Sequence, residues 1–168
     1  MTWAIRRLDA AADRAAFAST STELNTWLSK QANQAQKKRL ASVFVASPVD
    51  QPACIVGYYS LAPWQIAFEQ APAKVTKRLP RYPLAATLLA RLAVDQSFQG
   101  QGLGGVLLID ALKRIHLAAQ SVPVQVALVH AKDDAAAAFY RRYGFEAFAD
   151  EPLHLFMAMG TVEQLFAD

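Results

Sequence analysis

Apolar and polar positions alternate along this chain with two periods. A spacing of two marks half-buried strands, and a spacing of three and four marks helices with one buried stripe. Trp3 to Arg7 predicts a first short strand, with Asp9 or Asp13 placed to cap a short helical turn. Phe17 to Gln36 predicts an amphipathic helix. Ser21 or Thr22 is a good N-cap, and Leu24, Trp27, Leu28 and Ala32 fall on one stripe opposite an amide-rich, basic face. Ser42 to Ala46 and Ala53 to Ala62 read as strands joined by a turn at Pro48 to Pro52, the second extended past Pro63 to Phe68. Pro72 to Leu79 reads as a short basic helix closed by Pro80-Arg-Tyr-Pro83.

The second half is more sharply punctuated. Leu88 to Val94 is an apolar run broken only by Arg91 and bounded by Asp95-Gln-Ser97 and a glycine cluster, which predicts a short buried strand. After the glycines, Leu103, Val106, Leu107, Ala111 and Ile115 share one helical face, while Asp110, Lys113, Arg114 and Gln120 share another. Val124 to Val129 is a buried strand. Lys132 to Phe145 is a helix: Asp133 or Asp134 caps it, four alanines propagate it, Arg141 and Arg142 suit its negative end, and Gly144 stops it. Two strands, Phe145 to Phe148 and Leu153 to Met159, and a short tail helix complete the chain. The order β-α-β-β-(α)-β-α-β-α-β-β describes a mixed α/β sheet with helices on both faces. With no repeat or linker, it predicts a single domain over residues 1–168.

Composition narrows the class. A hydrophobic fraction of 54% and a charged fraction of 18% over 168 residues describe one well-buried globule. No apolar run is long enough to span a membrane, and the N-terminus lacks a hydrophobic signal core, so a cytoplasmic location is expected. Cys54 is the only cysteine, which excludes an internal disulfide, and its apolar surroundings predict a buried thiol. His116 and His154 show no partner spacing, and no metal site is expected. Net charge is +3, unevenly spread. Lys30, Lys37, Lys38 and Arg39 form one basic block, and Lys74, Lys77, Arg78, Arg81 and Arg91 a second, with no Asp or Glu inside either. From Tyr143 onward the chain carries Glu146, Asp150, Glu151, Glu163 and Asp168 and no Lys or Arg. Such segregation suits a polyanionic partner on one side.

The strand, glycine loop and helix around Gly100 carry the chemistry. The first N–H groups of a helix lack internal partners, and glycines let an anion approach them closely. Gly100, Gly102 and Gly105 satisfy the dinucleotide pattern G-x-G-x-x-G, yet the next strand ends in His130 and supplies no acidic residue for a ribose. A P-loop is excluded because no Gly-Lys-Ser/Thr closes the loop. The remaining reading takes Gln99-Gly-Gln-Gly-Leu-Gly104 as Q-x-x-G-x-G.

That hexapeptide resembles the pyrophosphate loop of the GNAT superfamily of N-acetyltransferases. Ala136-Ala-Ala-Phe-Tyr-Arg-Arg-Tyr-Gly-Phe145 resembles the superfamily's A-x-x-F-Y-x-x-x-G-F element. More narrowly, Leu24-Asn-Thr-Trp-Leu28, Val56-Gly-Tyr-Tyr-Ser-Leu-Ala62, Leu89 to Gly104 and Val129 to Tyr140 are similar to the acetyltransferase toxins of type II toxin–antitoxin systems, the TacT/AtaT/KacT-like group. One departure stands out: many relatives carry a Cys-Gly-Asn-like turn before the first amphipathic helix, where this chain has Ser19-Thr-Ser-Thr22, a turn expected to touch the acceptor.

The resemblance implies a GNAT fold with a mostly antiparallel sheet, and acetyl transfer from acetyl-CoA to the α-amine of an aminoacyl-tRNA. In that reading the loop from Gln99 through Gly100, Gln101, Gly102, Leu103, Gly104 and Gly105 holds the pyrophosphate. The backbone of Leu92, Ala93 and Val94 pairs with pantetheine, Phe139 touches the cofactor, and Tyr140 protonates the leaving thiolate. Lys30, Lys37, Lys38, Arg39, Lys77, Arg78 and Arg91 grip the tRNA backbone. Tyr58, Tyr59 and Trp64 are placed to line the acceptor cleft or the core. A strong general base is not required, since a free α-amine has a reference pKa of about 7.7–8.0. Asp95, through water, and His130 are the groups nearest to that role. The resemblance further implies a ribbon-helix-helix antitoxin partner and a homodimer. A small amine or a protein N-terminus remains the alternative acceptor. An acyl-CoA-binding module without turnover and a nucleic-acid-binding protein are the other classes, the latter opposed by the lack of a helix-turn-helix or RNP-type motif.

Overall fold

A computed structural model of the chain describes residues 2–167. Seven strands join in one mixed sheet of order β1-β2-β3-β4-β5-β7-β6, flanked by helices. The strands are β1 (Trp3–Arg7), β2 (Ser42–Pro48), β3 (Gly57–Ile66), β4 (Leu84–Val94), β5 (Val126–His130), β6 (Glu146–Phe148) and β7 (Glu151–Ala158). The helices are α1 (Thr22–Lys30), α2 (Ala32–Lys37), α3 (Ala73–Thr76), α4 (Leu103–Ala118), α5 (Asp134–Arg142) and α6 (Met159–Leu165). The strands and helices follow in the predicted order, except that the first predicted helix appears as two, α1 and α2. β1 with β2, β2 with β3, β5 with β7 and β6 with β7 are antiparallel, while β4 and β5 run parallel, with Ala86 to Leu89 facing Val126 to Val129.

The chain divides into two compact units whose boundaries fall inside β3, β4 and α4. The first runs from the N-terminus to Ala62 and includes Ala90–Ala111. Its core gathers Leu8, Phe17, Trp27, Leu28, Val43, Val45, Ile55 and Tyr58 around the stripe that the α1 spacing predicts. Ser21 caps α1 by accepting from the Leu24 N–H at 3.2 Å. The predicted single helix is interrupted: at Gln31 φ reaches −121°, although its N–H still bonds the Trp27 carbonyl, and α2 restarts at Ala32. At Asp9 a single turn forms, its carbonyl accepting from the Ala12 N–H at 3.4 Å and its carboxylate from the Ala11 N–H at 3.1 Å, with no longer helix. Asp13 accepts from the Ala16 N–H at 3.3 Å with its side chain, and its own N–H donates to the Ala53 carbonyl at 2.8 Å. Cys54 is half-buried and lies outside β3, so neither the strand nor the burial predicted for it is found.

The second unit comprises Pro63–Leu89 and Leu112 to the C-terminus. α5 and α6 pack on β7, and Leu155, Phe156 and Met157 of that strand are buried. α5 follows its sequence closely. Asp133 caps it by accepting from Ala136 N–H at 2.8 Å, and Gly144 ends it at φ +100°. β4 is longer than the predicted run and only half-buried at Arg91 and Leu92. On α4, Leu103, Leu107, Leu108, Ala111, Leu112 and Ile115 are buried, whereas Val106, placed on that face by its spacing, is 42% exposed. Among the described residues no helix is long and apolar enough to cross a membrane.

Candidate active site

The glycine loop leaves β4 through a pinned corner. Asp95 accepts from the Ala18 N–H at 3.0 Å with one oxygen and from the Ser97 N–H at 2.9 Å with the other. Each oxygen of the carboxylate thus accepts from one backbone N–H, which makes Asp95 a cap at this corner. The Ser19 turn closes on the same corner. Ser19 is buried, its N–H donates to Asn25 Oδ1 at 2.8 Å, and its carbonyl accepts from Asn25 and from Gln96, each at 3.1 Å. These bonds clasp the turn to the start of α1 and to Gln96.

Beyond the corner, Gly100 and Gly102 adopt φ of +79° and +81°, and a Cβ built on either meets no atom within 4 Å. Only glycine takes this left-handed backbone without strain, and the absence of side chains leaves open space before the first turn of α4. Gln99 turns its amide back toward the Val94 carbonyl at 3.5 Å, and Gly104 and Gly105 lie within the first turn of α4. The loop therefore fits an anionic phosphate group. Leu92 to Val94 lie past the stretch of β4 that registers with β5.

A cavity of about 400 Å³ opens in the same unit, lined by Trp27, Lys30, Gln31, Gln34, Lys38 and Arg91 among others. Arg91 lies 3.9 Å above the Trp27 ring, and its Nη1 reaches Ser60 Oγ at 3.5 Å. Burial lowers its pKa from the ordinary guanidinium value, with the Tyr58 phenol opposing. Among the described residues, Lys30, Lys38 and Arg91 have no carboxylate partner. A partly desolvated cation without an anion, beside two more cations and two amides, is an arrangement that favours an external anion. Lys37 and Arg39 are exposed and do not line this cavity.

The second basic block is divided between the two units. Arg91 belongs to the first unit, and Lys77 and Arg78 to the second. Lys74 pairs with Glu146 at 2.6 Å, and Arg81 with Glu69 at 3.0 Å. Fold neighbours thus supply the carboxylates that the block lacks in sequence. Tyr58 and Tyr59 are core residues: both are fully buried, Tyr58 donates to the Leu24 carbonyl at 2.7 Å, and Tyr59 donates to Asp110 at 2.5 Å. Trp64 alone of the three aromatics faces solvent, at 48% exposure.

In the second unit, Tyr140 sits on α5 with 6% exposure, its ring edge-on to Phe139 and Phe145. Burial pushes its phenol well above the usual tyrosine range, so it holds its proton at neutral pH. Phe139 is half-buried and Tyr143 caps the helix end. A further cavity of about 330 Å³ in this unit is lined by Trp64, His130, His154, Asp150 and Glu151 over Ile66, Leu128 and Phe148. His130 and His154 face each other across the β5–β7 register, with ring centroids 4.0 Å apart. Spacing along the chain gave no hint of this pair.

Residues 39–147 match the family model of the acetyltransferase (GNAT) domain. The chain belongs to the GNAT acetyltransferase family. A tRNA-acetylating toxin of Mycobacterium tuberculosis (strain ATCC 25618 / H37Rv) is 38% identical over 163 residues, 97% of this chain and 96% of that protein. The structure of AtaT complexed with acetyl-methionyl-tRNAfMet superposes with a TM-score of 0.90 at 25% identity, over 99% of this chain and 100% of that one. An AtaT toxin variant bound to the C-terminus of the antitoxin AtaR and acetyl-CoA shares the fold, with a TM-score of 0.84 at 23% identity over 100% of both chains. This GNAT chain holds a mixed sheet, a glycine loop with open space before α4 and a buried tyrosine on α5. Among the described residues no group of His, Cys, Asp and Glu is arranged to hold a metal ion.

Proposed function

We propose that this protein moves the acetyl group of acetyl-CoA to the α-amine of an aminoacyl-tRNA, a modification that blocks translation. The near full-length likeness to a tRNA-acetylating toxin carries the reading. The unpaired cations Lys30, Lys38 and Arg91 around one cavity support it, because they suit a phosphate-rich acceptor. The amides from Gln99 to Gly105 hold the pyrophosphate of acetyl-CoA, and Leu92, Ala93 and Val94 pair with its pantetheine arm. Phe139 touches the cofactor. Lys37, Arg39, Lys77 and Arg78 add phosphate contacts without sequence readout.

Tyr140 donates a proton to the departing sulfur. Its buried phenol is fully protonated at neutral pH, and the same burial makes it a weak acid, so transfer accompanies the build-up of charge on sulfur. The chain works as a single acetyltransferase domain in the cytoplasm, as a homodimer held inactive by a ribbon-helix-helix antitoxin. The test is acetyl-CoA labelled in its acetyl group, offered a total pool of charged tRNA and the same pool deacylated. Label is expected in charged tRNA alone, and a loss of about 10²-fold or more in kcat is expected for Tyr140→Phe. Charged tRNA that stays unlabelled while a small amine or a protein N-terminus takes the label overturns the reading.

A further inference from the structure

The cavity lined by Trp64, His130 and His154 has a chemistry of its own. Asp150 and Glu151 stand at it without a cationic partner among the described residues, and neither Lys nor Arg lines it. Phosphate is repelled from such a place. The exposed indole of Trp64, edge-on to His130 at 5.5 Å, adds a ring face that attracts cations. Metal binding does not suit it, because imidazoles stacked at 4.0 Å and 19° hold their in-plane lone pairs nearly parallel, not converging on one ion. The cavity is sized and charged for a small organic cation, an ammonium on an apolar stem.

We infer that this cavity receives the ammonium group of the acceptor, and that His130 removes the proton this group must lose before it can attack. The inference rests on the aminoacyl-tRNA reading. An α-ammonium bound beside two carboxylates is held in its charged, unreactive form, with a pKa at or above the reference of about 7.7–8.0. A neutral imidazole in the same cavity supplies the acceptor for its proton. The groups facing His130 are His154 on β7 and the carboxylates of Glu151 and Asp150; Trp64, Gln65 and Gln70 carry no charge. Burial and the facing His154 hold His130 below the ordinary imidazole pKa, against a smaller opposing effect of Glu151, so it is neutral at physiological pH.

The proton balance closes. The ammonium gives one proton to His130, and the freed lone pair forms the C–N bond at the thioester carbonyl. The C–S bond breaks as Tyr140 protonates the sulfur. The second amine proton returns to Tyr140, and His130 releases its proton to solvent, leaving an amide, a thiol and one H⁺.

The experiment is the pH dependence of kcat with saturating charged tRNA, from about pH 5.5 to 8.5, for the wild type, His130→Gln and His154→Gln. The wild type is expected to stay active down to below about pH 6.5. In His130→Gln the acid limb moves up to the acceptor amine itself. That predicts a loss of about 20-fold at pH 6.5 and less than about twofold at pH 8.5. His154→Gln, which removes the ring facing His130, moves the limb only up toward the ordinary imidazole value. A folded His130→Gln whose limb coincides with the wild type overturns the inference. Should that variant fail to fold, an unmoved limb in His154→Gln overturns it instead. Wild-type enzyme that acetylates no charged tRNA is a separate result, and it removes the aminoacyl-tRNA reading together with what rests on it.

Discussion

Replacing Arg91 by Met separates a binding role from a structural one. The guanidinium stacks on Trp27 at 3.9 Å, touches Ser60 at 3.5 Å and meets no carboxylate among the described residues. Met keeps the apolar stem against the ring and removes the charge. The lost cation–ring attraction amounts to about 0.5–2 kcal/mol. It is opposed by relief of the desolvation that depresses this arginine's pKa. Net stability should therefore change by less than about 2 kcal/mol, a shift of under about 8 °C in Tm. Binding should suffer more. A charge-assisted phosphate contact contributes about 1.5–3 kcal/mol, so KM for charged tRNA rises by about 10- to 150-fold with kcat little changed. The decisive measurement is the salt dependence of kcat/KM between 50 and 300 mM. One phosphate contact fewer lowers the log–log slope by about 0.7–0.9. An unchanged slope, or an unfolding loss well beyond 2 kcal/mol, would show that Arg91 is a strut under β4 and that the cavity takes no phosphate.

Other perturbations test neighbouring steps. Asp95→Asn should cost about 1–3 kcal/mol by weakening one of its two backbone bonds, lowering Tm by about 2–12 °C, while the acid limb of the pH profile stays where it is. A moved limb would restore Asp95 as a base. Gly102→Val forces a branched residue to φ +81°, at a cost of about 1–2 kcal/mol, and should raise KM for acetyl-CoA with kcat nearly unchanged. His130 also predicts a pH-dependent stability. Its folded pKa lies below the unfolded value of about 6.5, so the unfolded chain binds the proton first. The stability it contributes is present above that pH and lost as pH falls through the folded pKa. Calorimetry should show Tm dropping more steeply below about pH 6.5 in the wild type than in His130→Gln, and equal slopes would contradict this.

Elements whose signals are local were legible in the sequence. α5 carries its cap, its alanines, its terminal arginines and its stop within one short segment, and each appears where its chemistry puts it. The glycine loop was legible for the same reason. The break at Gln31 was not, because nothing in Ser29-Lys-Gln-Ala32 disfavours helix. The aromatic pair Tyr58–Tyr59 was ambiguous by construction. Adjacent strand residues point to opposite faces, so their burial depends on what covers each: Phe17 meets Tyr58 edge-on and Trp27 stacks on it, while Phe44 stacks on Tyr59. Long-range pairings were invisible altogether. Lys74 finds Glu146 72 residues away, and His130 meets His154 only through the β5–β7 register.

The two cavities sort charge in opposite senses, and that bears on the acceptor. The first presents Lys30, Lys38 and Arg91 with no carboxylate lining it, and the second presents Asp150 and Glu151 with no Lys or Arg. A small amine would use only the second, and a protein N-terminus has no need of the first. An aminoacyl-tRNA carries both a polyanionic body and a single ammonium, so it alone among these acceptors has a group to match each cavity. The distinction becomes measurable with a truncated acceptor, an aminoacyl ester of adenosine that keeps the amine and loses the phosphates. Wild-type enzyme should acetylate it with a KM raised by at least about 10³-fold, because several charge-assisted contacts of about 1.5–3 kcal/mol are gone. Arg91→Met should then leave kcat/KM for the truncated acceptor within about twofold of wild type, while His130→Gln should carry its pH defect over to it in full. If Arg91→Met weakens the truncated and the complete acceptor by the same factor, the first cavity reads something other than phosphate, and the division of charge between the two cavities has a different cause.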